Sequence, residues 1–231
     1  MIFRQLFDAE SSTYTYLLGD ESSQQALLID PVLESTNTYL QLLQELGLTL
    51  AYVLDTHTHA DHITASGKLR EETGCITFLG AESQSSCASK TITDGEKISL
   101  GLLRITALYT PGHTDDSYCF IAINAGQTYL FSGDTLLIRG TGRTDFQNGN
   151  AIDQYRSIFS KLLTLPDNTW VYPGHDYKGW MVSTIGEEKC HNPRLQIDNE
   201  GKYAELMQNL KLPNPKMIDI AVPANRSCGK I

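Results

Sequence analysis

The chain has 231 residues, of which 41% are hydrophobic, and a formal net charge of -9 at pH 7. This length and apolar content suffice for the core of one large globular domain or two small ones. The acidic balance argues against a general affinity for nucleic acid or anionic membranes, and no apolar run reaches the roughly 20 residues that span a bilayer.

The N-terminal sequence MIFRQLFDAE lacks the charged segment, apolar core and small-residue cleavage site of a secretory leader. Five cysteines are scattered along the chain without a CxxC pair. This usage is typical of free thiols in a reducing compartment rather than of a disulfide framework. Both features predict a cytoplasmic protein, and a mature mitochondrial form that has lost a transit peptide is also compatible with them.

Short segments rich in β-branched and aromatic residues predict three strands in the first thirty residues: MIFRQLF, TYTYLLG and QQALLID. Apolar residues at i, i+3, i+4 and i+7, from Tyr39 to Leu46, then predict a helix that Gly47 ends. TLAYVLD and CITFLG are predicted strands on either side of a helix at residues 63–73. KISLGLLRITALY supplies one or two strands, and SYCFIAI and TYLFSGD form a hairpin around the turn NAGQ.

A second amphipathic helix is predicted over residues 151–163, with Asn150 as its N-cap. Its expected buried face consists of Ile152, Tyr155, Phe159 and Leu162. NTWVYPG is the last predicted strand, and helical and proline-rich material follows it. Because helices recur between numerous strands, we predict a layered α/β fold with antiparallel or mixed sheets. The sequence has no linker or short-period repeat, which favours a single domain over residues 1–231.

A dense cluster of histidine and aspartate, THTHADH, follows the predicted strand TLAYVLD. In an extended loop the side chains of His57, His59 and Asp61 alternate onto one side, and His62 points away from it. Three more candidates each follow an apolar strand and a glycine, where the backbone can turn sharply. They are His113 after LYTPG, Asp134 after LFSG and His175 after VYPG.

One histidine at a strand end is usually a hydrogen-bonded surface or core residue. Several imidazoles and carboxylates that converge on one site are different, because burying them without a cation leaves uncompensated charge. Together these residues predict a metal site, and their donor atoms suit zinc, iron or manganese.

The ordered motifs THTHADH, TPGHT, SGDT and YPGHD resemble those of the metallo-β-lactamase superfamily, over essentially the whole chain. The resemblance implies an α/β fold built as a four-layer αββα sandwich, in which helices flank two mixed sheets. It also implies a metal site along one edge of the two sheets.

Three further segments resemble the persulfide dioxygenases, which oxidise glutathione persulfide with dioxygen and water to sulfite and glutathione. These segments are LIRGTGRTDFQNG (137–149), YPGHDYKG (172–179) and HNPRL (191–195). The chain is similar, to a lesser degree, to glyoxalase II, which hydrolyses S-lactoylglutathione at a dinuclear metal site. That enzyme usually carries a longer helical C-terminal region than the forty residues found here after His191.

The resemblance to persulfide dioxygenases implies one ferrous iron per chain, bound by His57, His113 and Asp134. This set of two histidines and one carboxylate leaves positions for a substrate sulfur and for dioxygen. The remaining candidates would then orient the ligands through hydrogen bonds. In the hydrolase alternative Asp61, His62 and His175 hold a second metal with Asp134 as a bridge. The remaining candidates are His59, Asp61, His62 and His175.

The same resemblance places three side chains at the substrate. Arg143 and Arg194 match positions at the glutathione pocket, where a guanidinium suits carboxylate, and Tyr177 matches a tyrosine near the iron. No side-chain nucleophile is required. Thr141 stands where relatives often carry cysteine, so no thiol acts at this position. The expected partners are glutathione persulfide and dioxygen, with no nucleic acid and no membrane, and a homodimer is left open because relatives are often dimers.

Overall fold

The structure is a computed structural model that describes residues 1–213 and 217–230. Its first sheet contains six strands in chain order: β1 (Ile2–Asp8), β2 (Thr13–Asp20), β3 (Gln25–Ile29), β4 (Thr49–Leu54), β5 (Ile76–Gly80) and β6 (Lys90–Ile92). The second sheet also has six strands, and its spatial order is β12-β11-β10-β9-β8-β7. These strands are β7 (Lys97–Leu100), β8 (Leu103–Tyr109), β9 (Tyr118–Asn124), β10 (Gln127–Gly133), β11 (Trp170–Pro173) and β12 (Ser183–Thr184).

The helices of the described residues are α1 (Thr36–Leu46), α2 (Ser66–Thr73), α3 (Ala151–Ser160), α4 (Ile185–His191), α5 (Glu200–Gln208) and α6 (Ile218–Arg226). Gly47 ends α1 as predicted, since it adopts the left-handed conformation (φ 64°) that glycine reaches without steric strain. None of these helices combines the length and the apolar character that crossing a bilayer requires.

Both sheets are mixed. In the first, β1, β2 and β3 are antiparallel, whereas β3, β4, β5 and β6 run parallel to one another. In the second, β10 and β11 are parallel and the other neighbours are antiparallel. A buried apolar cluster lies between the sheets, and separate clusters join each outer face to its helices. The predicted αββα sandwich of two mixed sheets flanked by helices is therefore confirmed.

The parallel strand pairs bring several loops to one edge of the sandwich. Asp134 directly follows β10, and His175 follows β11, which is the parallel neighbour of β10. His57 follows β4, and His113 follows β8. Because parallel strands end at the same edge of a sheet, this topology collects side chains that lie far apart in the sequence.

The buried face of α3 agrees with the prediction only in part, since Leu162 just after the helix is buried and Phe159 is partly buried. Ile152 is 36% exposed, whereas Gln154, Ser157 and Ile158 are buried. The helix uses two polar residues on its inner face because they hydrogen-bond to the loops below it. The predicted cap is confirmed, since the side chain of Asn150 accepts hydrogen bonds from the backbone amides of Ile152 and Asp153.

The prediction that the cysteines are free thiols is wrong for two of them. Cys87 and Cys228 form a disulfide across a separation of 141 residues. Cys75 and Cys119 are buried free thiols, and Cys190 is free and exposed. Sequence spacing could not reveal the crosslink, because the fold alone brings the segment before β6 and the residues after α6 together.

Candidate metal centre

The THTHADH segment forms an irregular loop after β4, which we call the metal-binding loop (residues 55–64). Asp30, which follows β3, fixes the start of this loop. Its carboxylate accepts hydrogen bonds from the backbone amide of Thr56 (2.7 Å) and from the Thr56 hydroxyl (2.9 Å). Nε2 of His59 lies 3.1 Å from the same carboxylate. Sequence analysis missed this role, and its only signal was an aspartate directly after an apolar strand.

His57, His113 and Asp134 offer ligand atoms that all lie within 4.8 Å of one another. They come from three separate strand ends and are buried or nearly so, and the rings of His57 and His113 are 4.8 Å apart. The structure thus brings together the three residues predicted to bind iron. Their role as ligands stays a prediction.

The protein orients both imidazoles through Nδ1. The Thr56 hydroxyl donates its proton to Asp30, so it accepts from Nδ1 of His57 at 2.9 Å. Nδ1 of His113 donates to the backbone carbonyl of Arg143 at 2.7 Å. These bonds leave Nε2 of each ring available, which is the arrangement of a metal-binding histidine held by an outer hydrogen bond.

The donor set fits a divalent metal ion. Nε2 of His113 and Oδ2 of Asp134 are 3.6 Å apart, which is too far for a hydrogen bond and close enough for both atoms to bind one ion. The carboxylate compensates part of the charge of such an ion, and two imidazoles with one carboxylate suit iron or zinc.

The other four candidates form a hydrogen-bonded group beside this set. Nδ1 of His175 lies 2.6 Å from Oδ1 of Asp134, and its Nε2 lies 2.9 Å from Oδ2 of Asp61. Oδ2 of Asp61 also lies 2.8 Å from Nδ1 of His62. His175 therefore links the carboxylate of Asp134 to that of Asp61. Nδ1 of His59 and Nε2 of His62 have no hydrogen-bond partner among the described residues.

The charges within this cluster of side chains shift the pKa values of its members. Burial alone would lower the pKa of His175, but the carboxylates of Asp134 and Asp61 outweigh burial and raise the pKa well above its usual value. Burial is likewise outweighed at His59, where Asp30 raises the pKa to about 9. At Asp134 the opposing effect of His175 lowers the pKa despite burial.

A cavity of about 510 Å³ opens onto these residues. Four of the predicted metal-site residues line it: Asp61, His113, Asp134 and His175. The three predicted substrate residues line the same cavity: Arg143, Tyr177 and Arg194. His57, His59 and His62 are buried and do not line the cavity, but the His57 ring lies 4.8 Å from that of His113, which does. The fold thus gathers all ten predicted site residues around one space.

Arginines at the cavity differ in their partners. Arg143 makes a bidentate contact with Asp145 (2.7 and 2.8 Å), and Arg139, which sequence analysis did not single out, pairs with the fully buried Glu188. Arg194 has no carboxylate partner in the described part of the chain. Its guanidinium donates instead to the carbonyl and hydroxyl of Thr141.

Thr141 belongs to a buried polar network. The Tyr203 hydroxyl on α5 lies 3.0 Å from the Thr141 hydroxyl and 2.8 Å from Oε1 of Gln154 on α3. Gln154 in turn donates to the backbone carbonyl of Gly142. The network fixes the loop whose next carbonyl, that of Arg143, orients His113.

The sequence profile of the metallo-beta-lactamase superfamily matches residues 9–86 and 89–175. The persulfide dioxygenase ETHE1 of Mus musculus is 47% identical over 230 residues, which cover 99% of this chain and 89% of that protein. The crystal structure of ETHE1 from Myxococcus xanthus is 56% identical, covers 100% of both chains and has a TM-score of 0.96.

A probable hydroxyacylglutathione hydrolase of Schizosaccharomyces pombe is 31% identical, covering 89% of this chain and 90% of that protein. The hydrolase alternative is therefore the weaker match. The chain belongs to the metallo-β-lactamase superfamily and, within it, to the persulfide dioxygenases.

Proposed function

We propose that this enzyme oxidises glutathione persulfide at a single ferrous iron held by His57, His113 and Asp134. One persulfide, one dioxygen and one water give glutathione, sulfite and two protons. The observation that carries the proposal is the set of two imidazoles and one carboxylate, of which His113 and Asp134 line a cavity that also holds arginine side chains. Ferrous iron supplies the redox chemistry that activates dioxygen beside a bound sulfur.

In this proposal His175 orients the iron ligand Asp134 instead of holding a second metal. This residue lies between Asp61 and Asp134, and Asp61 also contacts His62. His175 therefore holds the Asp134 carboxylate in a fixed orientation and is itself held by Asp61.

The cavity residues bind and orient the persulfide. Arg194 is the arginine best placed to take a glutathione carboxylate, because Arg143 and Arg139 already contact acidic side chains. The Tyr177 ring is 72% exposed and stacks parallel to the His175 ring at 6.1 Å. Its hydroxyl is available to orient a substrate near the metal.

The test combines metal analysis with an oxygen electrode. We expect the protein reconstituted with ferrous iron to hold one iron per chain and to consume one dioxygen for each sulfite formed from glutathione persulfide. Two bound metals, together with hydrolysis of S-lactoylglutathione and no oxygen consumption, would overturn the proposal in favour of the hydrolase.

A further inference from the structure

The side chain of Asn225, which is 5% exposed, connects helix α6 to the metal-binding loop by hydrogen bonds. Its amide nitrogen donates to the backbone carbonyls of His59 (2.9 Å) and His62 (2.8 Å). Its amide oxygen accepts from the backbone amide of Thr64 (2.8 Å). One side chain thus satisfies three backbone groups of a loop that has little regular secondary structure of its own.

These hydrogen bonds affect the positions of the imidazoles in the loop and of the Asp61 carboxylate. Buried peptide groups need partners, and the loop has no neighbouring strand that supplies them at these positions. The directions of the His59 and His62 carbonyls determine how the backbone turns on either side of Asp61. Asn225 therefore fixes the shape of the loop that presents the metal-site side chains.

Few apolar contacts hold α6 in place. Its buried cluster consists of Ile63, Ala221 and Ala224, with Leu33 and Met217 partly buried against it. Two residues after the helix, Cys228 forms the disulfide with Cys87. The carbonyl of Cys228 also accepts from the backbone amide of Gly67, where a Cβ atom would approach that oxygen to 2.3 Å. The crosslink is thus a principal restraint on α6.

We propose that α6 clamps the metal-binding loop. Asn225 is a positioning residue for the metal ligands, and the Cys87–Cys228 disulfide is a redox-active site that holds Asn225 in place. The proposal depends on the metal site, and it does not depend on which substrate the iron oxidises.

A small thiol such as glutathione opens the clamp by thiol–disulfide exchange. Cys87 is partly exposed and Cys228 is 2% exposed, so a thiolate attacks the sulfur of Cys87 and releases Cys228 as its thiolate. A second small thiolate then attacks the sulfur of the first, now bound to Cys87, and releases Cys87 as its thiolate. Two protein thiols and one small-molecule disulfide result, so two electrons pass from the small thiols to the protein, and two protons are conserved overall.

The first experiment changes Asn225 in the iron-loaded protein and follows iron loss to a ferrous chelator. We expect Asn225→Ala to release iron about 10- to 100-fold faster, the range typical of lost outer hydrogen bonds at metal sites. Asn225→Asp keeps the shape and the acceptor but loses both donors, so it should behave like Asn225→Ala. Backbone amides at residues 57–64 should also exchange hydrogen faster in both variants.

Ile220→Ala is the matched control, because this side chain lies on the same helix and is 53% exposed. It should release iron at the wild-type rate. Wild-type iron release and hydrogen exchange in Asn225→Asp would overturn the role of Asn225.

The second experiment uses the wild-type chain, so it does not depend on a variant that folds poorly. A non-reducing peptide map should contain the Cys87–Cys228 crosslink, and anaerobic incubation with reduced glutathione should remove it and speed iron release several-fold. Cys87→Ser should reproduce the effect, whereas Cys190→Ser, which removes the exposed free thiol, should not. An absent crosslink, or unchanged iron release after its reduction, would overturn the redox role.

The double variant Asn225→Ala/Cys87→Ser tests whether the disulfide acts through Asn225. Coupled sites give non-additive effects, so iron release should match that of Asn225→Ala alone. If the fold-changes of the two single variants multiply in the double variant, the disulfide and Asn225 act independently. That result would contradict the proposal that α6 clamps the loop. All these measurements follow iron, so a chain that passes them and still fails to oxidise persulfide contradicts only the proposed function.

Discussion

His57 and His113 donate Nδ1–H to acceptors within the chain, one to a threonine hydroxyl and one to a backbone carbonyl. Each ring is therefore oriented before a metal binds, and little side-chain entropy remains to be lost on binding. The Thr56 hydroxyl is itself held by a hydrogen bond to Asp30. The Arg143 carbonyl belongs to a loop that is held by the hydrogen bond from Gln154 of α3 to Gly142.

At the residue scale, His113→Ala should abolish persulfide oxidation. The change removes one of three proposed ligands and leaves an incomplete set, so iron content should fall together with oxygen consumption. The control is His191→Ala, which removes an exposed histidine at the end of α4. Persulfide oxidation that survives in His113→Ala would show that the assigned iron site is not the working one.

Arg194→Ala should raise KM for glutathione persulfide about 10- to 100-fold, the equivalent of one charge-assisted hydrogen bond of roughly 1.5 to 3 kcal/mol. We expect kcat to change much less, because this guanidinium binds the substrate away from the reacting sulfur. Steady-state oxygen consumption measures both constants. Arg156→Ala serves as the control, since Arg156 is exposed and pairs with Glu200 on the surface. A large fall in kcat at constant KM would contradict substrate binding by Arg194.

We expect the buried phenol of Tyr203 to make the stability of the protein fall at alkaline pH. Burial raises the pKa of this phenol to about 12, above the usual value of 10.0, because an ionised phenolate is poorly solvated inside the protein. The folded state thus keeps its proton while the unfolded state loses it. The stabilisation is complete below pH 10 and is lost as the pH rises from 10 to 12, by about 2 to 3 kcal/mol in total.

Urea denaturation of the wild type and of Tyr203→Phe at several pH values checks this prediction. The difference between the two proteins below pH 9 measures the lost hydrogen bonds of the hydroxyl. Above pH 10 the wild type should lose stability more steeply than the variant. Parallel curves would contradict a buried, neutral Tyr203.

Much of the candidate site was predictable at this scale. Each histidine and aspartate of the four motifs stands in a recognisable context after an apolar strand, and all of them gather at one edge. Asp30 and Asn225 were not predictable, because an aspartate before a proline and an asparagine in a short helix are unremarkable in sequence. Their roles depend on contacts to backbone groups that are distant along the chain.

At the element scale, α3 illustrates the limit of periodicity. Apolar spacing predicted a buried face of Ile152, Tyr155, Phe159 and Leu162. Ile152 is exposed instead, and the helix turns Gln154 and Ser157 inwards. Gln154 joins the network that fixes the loop at residues 140–143. The inner face of α3 includes polar side chains because the helix supports a functional loop through them. The spacing of apolar residues in one sequence gives no signal of such a role.

The start of α3 should be sensitive to its cap. Asn150→Ala removes the acceptor for two backbone amides and should lower the free energy of unfolding by about 1 kcal/mol. Asn150→Asp keeps an acceptor oxygen and should stay close to the wild type. Urea denaturation compares the three proteins, and equal stability of wild type and Asn150→Ala would show that the cap contributes nothing.

At the scale of the whole molecule, one metal ion would connect loops from both sheets, since His57 follows the first sheet while His113 and Asp134 follow strands of the second. A ligand that binds only the folded state stabilises it, by about 2.7 kcal/mol when its concentration is 100 times its Kd. For a chain of this size, removing iron with a chelator should therefore lower Tm by roughly 5 to 10 °C.

Differential scanning calorimetry of iron-loaded and chelator-treated protein measures this shift. His113→Ala should give the same Tm with and without chelator, because its site no longer holds the ion. An equal Tm for the loaded and stripped wild type would contradict an ion that joins the two sheets.

The four-layer arrangement was predictable because an ordered set of motifs identifies the superfamily, and alternating strands and helices agree with it. The disulfide was not predictable from the sequence, because its cysteines are 141 residues apart and no local pattern marks them as partners. The single domain over residues 1–231 and the homodimer stay predictions.

The hydrogen bonds from Asn225 also have a consequence for the order of events during synthesis of the protein. Asn225 follows His59 by 166 residues, and ribosomes add about 5 to 20 residues per second, so roughly 8 to 33 s separate the synthesis of the two. During that interval the metal-binding loop already exists without the side chain that braces it. If Asn225 positions the loop as proposed, an iron ion captured by the nascent chain would meet loosely held ligands until helix α6 has been made.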